Sequence, residues 1–359
     1  MKAIRLALIC VLIPSIGAAM LYANKKASSA IVDLGTLGGH ESYAAAINNV
    51  GDVVGRSNTA LGDSRAFLWR QGHMMELPML PSADGGASAG VESDASDINN
   101  SGAIVGNCDT GVFEYNGNER EVYHAVSWTN GAANDLGVLP GYRCSTAQSV
   151  NDAGVIVGLS INESHGPRGY DYEEHLAVFT PGKTPHRLGS KLYARNIRGD
   201  VVDALRDSHA TAIRFTTNKA SRILADIKLP DYPVNLQIND SGQVVATVAK
   251  TVVPRWDGDA VSGSYVLAWL HGSLPTQLSS FPDYPNAYAY GINNMGEIVG
   301  KVTNRSNDHL SSRGVLWRGE GVMDLTETYA NWSGWKIQNA TGINDHGFIV
   351  GWGIRGLRL

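Results

Sequence analysis

Ile47-Asn48-Asn49-Val50-Gly51-Asp52-Val53-Val54-Gly55 decides the fold, because it keeps returning. Copies with the pattern Ile-Asn-(Asn/Asp)-x-Gly-x-(Ile/Val)-Val-Gly occupy residues 98–106, 150–158, 292–300 and 343–351. A near-copy runs over 238–246 and ends in Ala246. A worn one over 195–203 keeps Asn196, Gly199, Val201 and Val202 but ends in Asp203. The seven starts are separated by 51, 52, 45, 43, 54 and 51 residues. Chance does not hold such a register, so the chain is a repeat protein.

A second phrase follows each of the first six copies: an apolar run ending in an aromatic residue, a glycine turn and a leucine. Ala66-Phe67-Leu68-Trp69 with Gly72 and Leu77 is one instance, and Ala125-Val126-Ser127-Trp128 with Gly131 and Leu136 another. Phe179 and Phe215 stand near the tryptophan position in copies three and four. Each unit therefore reads as four short strands. Small residues plus Ile make the first, an Asn-Asn-x-Gly turn leads to a Val/Ile-rich second, and the aromatic phrase and an Asp-Leu-Gly-like phrase make the third and fourth. Helical periodicity is absent after the N-terminal segment. Four strands per repeat, seven times over, predict an all-β fold: a seven-bladed β-propeller of four-stranded antiparallel blades. A β-solenoid is the alternative, with rungs that are usually shorter.

The ends suggest how such a ring closes. Ile31-Val32-Asp33-Leu34-Gly35 matches a fourth strand (compare Asp135-Leu136-Gly137), whereas the seventh copy stops after its second strand and a short stub. The N-terminal strand is expected to complete the last blade and remove an open sheet edge.

Composition narrows the class. Of 359 residues, 29 are Lys or Arg and 34 Asp or Glu, a net charge of −5; that balance lacks the basic stripe of a nucleic-acid binder. With 43 % hydrophobic residues the chain is not disordered. Lys2 and Arg5 precede an apolar run from Leu6 to Tyr22, broken by Pro14, Ser15 and Gly17, the layout of an export signal over residues 1–30. Ser28 and Ala30 suit a cut after Ala30, with Ala23 a second option, and an uncleaved N-terminal membrane anchor is the other reading. Cys10 lacks the small residues that precede a lipidated cysteine. The expected location is periplasmic or extracellular, with residues 31–359 as a single repeat domain.

The phrase set resembles the HAF-repeat family of extracellular repeat proteins, whose repeats carry an Ile-Asn-x-x-Gly-x-Val-Val-Gly phrase and a His-Ala-Phe-Leu-Trp phrase. His124-Ala125-Val126-Ser127-Trp128 is the nearest local match to the latter, and Asp33-Leu34-Gly35-Thr36-Leu37-Gly38-Gly39 matches the family's linking phrase. The resemblance spans residues 31–359 and implies an exported, propeller-like architecture. It carries over no catalytic residues.

Strand parity locates the candidate site. The first-to-second and third-to-fourth connections are tight turns, so every long connection emerges on one face, where binding groups concentrate. The segment 107–123 brings Tyr115, Arg120 and Tyr123. The segment 160–175 brings His165, Arg168, Tyr170, Asp171, Tyr172 and His175. The segment 250–265 brings Arg255 and Trp256, and the Pro-Asp-Tyr-Pro crossovers bring Tyr232 and Tyr284. Aromatic faces suit sugar rings or peptide side chains, and Asp and Arg give directional polar contacts. The expected function is a binding module for a carbohydrate, peptide or protein on this face. The alternative is a secreted glycan-acting hydrolase or lyase at the channel mouth, for which Asp171, Glu173, Glu174 and His175 would supply acid–base groups.

Cys108 and Cys144 fall on the same face by parity, and export permits a disulfide between them; two thiols are the alternative. No cofactor or metal motif stands. The text Gly351-Trp352-Gly353-Ile354-Arg355-Gly356 lacks the helix a dinucleotide fingerprint needs, and Asp257-Gly258-Asp259 reads as a surface turn. The repeated Asn-Asx pairs read as local Asx turns. The repeated tryptophans read as core between blades.

Overall fold

The computed structural model describes residues 10–12, 31–81, 92–115, 118–166, 169–187, 193–195, 201–206, 210–216, 221–228, 231–250, 263–270, 274–304, 311–319, 321–330 and 334–355. Strands are numbered along the chain from β1 (Cys10–Leu12) and β2 (Ile31–Val32). The chain divides into two compact units, one of Leu34–Lys191 and one of Met1–Asp33 with Leu192–Leu359.

The first unit holds three antiparallel four-stranded sheets. They are β3 (Gly38–Ile47), β4 (Val53–Thr59), β5 (Ser64–Arg70) and β6 (His73–Glu76); β7 (Ser93–Ile98), β8 (Ile104–Tyr115), β9 (Asn118–Thr129) and β10 (Ala132–Asp135); and β11 (Cys144–Val150), β12 (Ile156–Gly166), β13 (Gly169–Thr180) and β14 (Lys183–Arg187). The second unit holds β15 (Tyr193–Arg195), β16 (Val201–Arg206), β17 (Ala210–Thr216) and β18 (Ser221–Lys228); β19 (Tyr232–Ile238), β20 (Val244–Lys250), β21 (Gly263–Trp269) and β22 (Thr276–Gln277); and β23 (Asn286–Ile292), β24 (Ile298–Thr303), β25 (Arg313–Arg318) and β26 (Gly321–Asp324). Its last sheet pairs β27 (Trp335–Ile343) with β28 (Phe348–Arg355), then β1 and β2. The architecture is all-β, of small antiparallel sheets with propeller-like connectivity; a five-residue π-helix at Thr326–Ala330 is the helical element among the described residues.

Ile31 and Val32 take the fourth place in the last sheet, as their match to an Asp-Leu-Gly strand predicts. The third place belongs to β1, drawn from the segment expected to be an export signal: Val11 pairs with Ile349 on one side and Ile31 on the other. Arg355 Nη1 reaches Asp33 Oδ2 at 3.2 Å and ties the chain after β2 to the end of β28.

Among the described residues, the Asn-Asx-x-Gly turns that begin at Asn48, Asn99, Asn239 and Asn293 close locally and also bond the next repeat. In the second repeat the Asn99 Oδ1 accepts the amides of Ser101 and Ala103, an Asx turn, and Gly102 at φ +83° completes the reversal. Its Nδ2 donates to the next repeat, to Asn151 O at 3.0 Å, and Asn48 does the same to Asn99 O at 3.1 Å. The following residue donates in the same direction from its backbone: the amide of Asn49 donates to Asn100 Oδ1 and that of Asn100 to Asp152 Oδ1. In the second unit Asn239 bonds Asn293 O, Asn293 bonds Asn344 O, and the Asp240 and Asn294 amides donate to Asn294 and Asp345 side chains. Asx turns alone therefore do not account for the pairs. They form ladders of hydrogen bonds that link consecutive sheets, and the buried first asparagine satisfies its donor there.

Tryptophan indoles fill the spaces between sheets. Trp128, 2 % exposed, packs with Val54, Ala66, Leu77 and Leu80 of the preceding repeat and donates its Nε1–H to Pro78 O at 2.7 Å. Trp317 repeats this with Ala268, Leu278 and Ser279 O, also at 2.7 Å. The residue that opens the aromatic phrase pairs with the acid of the fourth strand: His124 with Asp135 at 2.9 Å, Arg65 with Glu76 at 3.1 Å, Arg313 with Asp324 at 2.6 Å. In the third repeat the acid's place is held by Arg187, and the His175 in register bonds Tyr142 instead.

Candidate functional site

Strands two and three of two sheets in the first unit overshoot strand one. β8 and β9 run 12 residues each against 6 for β7, and β12 and β13 run 11 and 12 against 7 for β11. Segments 107–123 and 160–175 are thus hairpin arms, not the loops expected from the sequence. Their Val, Phe, Tyr and Thr content suits a pleated strand, and the ladder continues from Val112↔Glu121 to Tyr115↔Asn118 and from Ser160↔His175 to Gly166↔Gly169.

The expected site residues scatter accordingly. Tyr115 and Arg120 sit on β8 and β9, and His165, Tyr170, Asp171 and Tyr172 on β12 and β13 toward their joining turn. Arg168, Arg255 and Trp256 lie outside the described residues, as does the Asp257-Gly258-Asp259 turn. Tyr232 opens β19 opposite Ala249. His175 accepts or donates a short hydrogen bond with the Tyr142 hydroxyl, their rings edge-on with centroids 5.4 Å apart. Tyr284 lies under the Arg313 guanidinium, 4.9 Å from ring centroid to Cζ. His175 and Tyr284 each serve a local packing contact.

The expected disulfide is corrected. Cys108 and Cys144 are both buried free thiols. Cys108 is inside β8 and points into the core beneath the first two sheets, where its Sγ accepts the Leu80 amide at 3.2 Å and touches Met79 Sδ at 3.6 Å. Cys144 begins β11, with its Sγ 3.7 Å from Glu121 O. Each sulfur is held by its own packing environment.

At the hairpin end of the first unit, a cavity of about 310 Å³ opens among its three sheets. Arg56 of β4 stacks over the Tyr43 ring at 5.1 Å and reaches Asp94 Oδ2 of β7 at 3.7 Å. Asn107 of β8 receives Thr146 Oγ1 of β11 at 3.5 Å. Glu92, Asp109, Glu121 and Tyr123 also line it. Asp109 stands where β8 outruns β7: its amide donates to Glu92 O at 2.9 Å, and its Oδ2 accepts the Glu92 amide at 3.1 Å. Burial pushes the Asp109 carboxyl up to about 6, and the Glu121 and Glu92 carboxylates push the same way, against that hydrogen bond and Arg65. Asp94 is also raised, by burial, with Arg56 opposing. Among the described residues no group of three or more His, Cys, Asp or Glu is placed to hold a metal ion, so the carboxylates are spread along the wall.

Sequence reasoning missed Arg56, Asp94, Asp109 and Glu121. A usable signal was present. The position after the closing glycine of the repeat carries Arg56, Asn107, Leu159, Lys301 and Trp352 in turn, and that before the first-strand alanine carries Tyr43, Asp94, Thr146 and Tyr288. Positions that change chemistry inside an otherwise uniform phrase are doing something other than building the sheet.

No protein-family model matches the chain, and no curated protein matches it. Solved structures do resemble it. An ulvan lyase described as a new family of polysaccharide lyase aligns with a TM-score of 0.41 at 11 % identity over 77 % of this chain and 81 % of that one. The same lyase bound to -[GlcA(1-4)Rha3S]- gives 0.43 at 11 % over the same shares. An uncomplexed acylaminoacyl peptidase of Pyrococcus horikoshii gives 0.47 at 10 % over 88 % of this chain and 52 % of that one. These are likenesses of chain path, and the site stands on this chain's own residues.

Proposed function

We propose that the chain is an exported binding module, a single ring of seven blades, that takes a carbohydrate in the cavity bounded by Arg56, Asp94, Asp109, Glu121 and Tyr123. The observation that carries this is the cavity itself. Acceptors and donors from three sheets converge on a space of about 310 Å³, within the usual range for a small-molecule site. A sugar ring offers hydroxyls in several directions and can use such a wall; a single peptide side chain would leave most of it unmatched. Ring closure is supported by the fourth-strand place of Ile31–Val32, and export by Lys2, Arg5 and the apolar run that follows. The HAF-repeat resemblance agrees with an extracellular or periplasmic setting.

A glycan array on the full chain tests the reading, with Glu121→Gln and Asp94→Asn as variants. Saccharide binding that weakens at least tenfold in both supports it; binding indifferent to both variants overturns it. A catalytic version of the same site is favoured by Asp109 alone, since a carboxyl held up to about 6 can donate a proton near neutrality. Release of shortened products from a bound glycan, abolished in Asp109→Asn, would establish it.

A further inference from the structure

We propose that Lys301 and Asn339 form a second binding site, for a small hydroxy acid: a carboxylate with a hydroxyl beside it. The site lies in the other compact unit, where the sheet of β23–β26 meets that of β27 and β28. It does not depend on the carbohydrate reading above.

The repeat sets the same two positions at two sheet boundaries. Lys301 follows the closing Gly300 as Arg56 follows Gly55, and Asn339 precedes Ala340 as Asp94 precedes Ala95. Each cation lies over the tyrosine in register with it, Arg56 Cζ over Tyr43 and Lys301 Nζ over Tyr288, both 5.1 Å from the ring centroid. Arg56 then meets a carboxylate across its boundary, Asp94 Oδ2 at 3.7 Å. At the other boundary an amide stands in the acid's place. Gly314, the partner of Lys301 on β25, abuts β27: a Cβ on it would lie 3.3 Å from Asn339 C and 3.4 Å from Ala340 N. Residues level across neighbouring strands project to one face, so Lys301 faces the same stretch of β27.

Two partners are missing there. Among the described residues Lys301 has no carboxylate at ion-pair distance; its ammonium rests on Tyr288 and, 6.0 Å from the centroid, on Tyr290. Burial pushes its pKa down, and no neighbouring acid opposes that. Asn339 is 7 % exposed, and its Oδ1 is buried with no hydrogen-bond partner. A buried acceptor without a donor costs free energy that a ligand's donor recovers. A carboxylate answers Lys301 and a hydroxyl answers Asn339 Oδ1. A simple anion would leave the amide oxygen unpaired, and a neutral sugar would leave the ammonium unpaired. Lys301 and both tyrosines are half-buried, so a small solute reaches them.

Saturation-transfer NMR titrations of the full chain at neutral pH test this, with lactate, propionate, methyl galacturonoside and methyl galactoside as probes. Lactate is expected to bind about fivefold more tightly than propionate, the value of one neutral hydrogen bond. The galacturonoside is expected to bind at least about tenfold more tightly than the galactoside, the value of a charged one. The tighter of the two acids identifies the source, a free hydroxy acid or an acidic sugar. Asn339→Asp should abolish acid binding, because the new carboxylate pairs with Lys301 as Asp94 pairs with Arg56, and Lys301→Met should weaken it about tenfold. Propionate equal to lactate, galactoside equal to galacturonoside, or acid binding unchanged in the two variants overturns the inference, as does binding of no acid. None of these results bears on the cavity of the first unit. The comparison among probes uses the unaltered protein, so it does not depend on either variant folding.

Discussion

A Cβ placed on Gly106 would lie 1.9 Å from the carbonyl oxygen of Asp94 on the neighbouring strand, closer than any side chain tolerates. The same relation joins Gly55 to Tyr43, Gly158 to Thr146, Gly300 to Tyr288 and Gly351 to Asn339, at 1.9–2.0 Å. In each of these sheets the first strand bulges just beyond the contact, between Ala95 and Asp97 in the second repeat and between Ala44 and Ala46 in the first. The two copies that end otherwise have no bulge there. Beside Ala246 the register slips earlier, between Pro233 and Asn235, and beside Asp203 the short β15–β16 ladder is unbroken.

The closing glycine is therefore a steric requirement of the bulge. Gly106→Ala is expected to destabilise the protein by about 3 kcal/mol or more in urea unfolding, since backbone must move to admit the methyl group. Ala246→Gly, where the methyl group is already accommodated, should cost about 1 kcal/mol through chain entropy and lost packing. Similar losses at the two sites would contradict the bulge explanation.

The ladder makes its two asparagines unequal. Asn99 is 4 % exposed and serves both its own turn and Asn151 O; Asn100 is exposed and bonds Asp152. Asn99→Ala should cost about 2–3 kcal/mol, leaving buried amides and a carbonyl unpaired, and Asn100→Ala under about 1 kcal/mol. Thermal unfolding of the two variants side by side decides it, and a larger loss at Asn100 would refute the ladder's polarity.

Asp109 makes stability depend on pH with a definite sign. Its folded value is raised to about 6, chiefly by burial, against about 4 in an unfolded chain. Its contribution is therefore fully present below about pH 4 and is lost as pH rises through about 6. Asp109→Asn should match the parent near pH 4 and exceed it by about 1–2 kcal/mol at pH 7. Asp97 is raised to about 6 as well, by burial against hydrogen bonds from Val150, Ser149 and Ile98, and titrates in the same window. A difference that grows toward acid would overturn the sign.

If the proposed export signal is used, its removal and the last sheet compete for residues 10–12. With the cut after Ala30, the exported protein should have an intact mass beginning at Ile31. Amide exchange at Phe348 and Ile349, which β1 covers in the full chain, should then be faster than in the uncut precursor. An exported protein of full mass with slow exchange there would mean that the segment stays in the sheet.

The recurrence of one nine-residue phrase determined, by itself, that the chain is all-β, repeats its sheets and turns on Asn and Gly. Those are local matters, settled by which residues tolerate a positive φ, pair in a pleat or fill a space between sheets. The overshooting hairpins were less legible, because loop-like polar residues on 107–123 and 160–175 are interleaved with good strand formers, and only the partner strand settles which tendency wins. The thiols of Cys108 and Cys144, placed together by parity, were separated by burial in different packing environments. The cavity was decided by tertiary structure alone. Arg56 comes from the first repeat and Asp94, Asp109 and Glu121 from three strands of the second, and nothing in their sequence neighbours reports that two sheets bring them to one wall, where burial raises the Asp94 and Asp109 carboxyls.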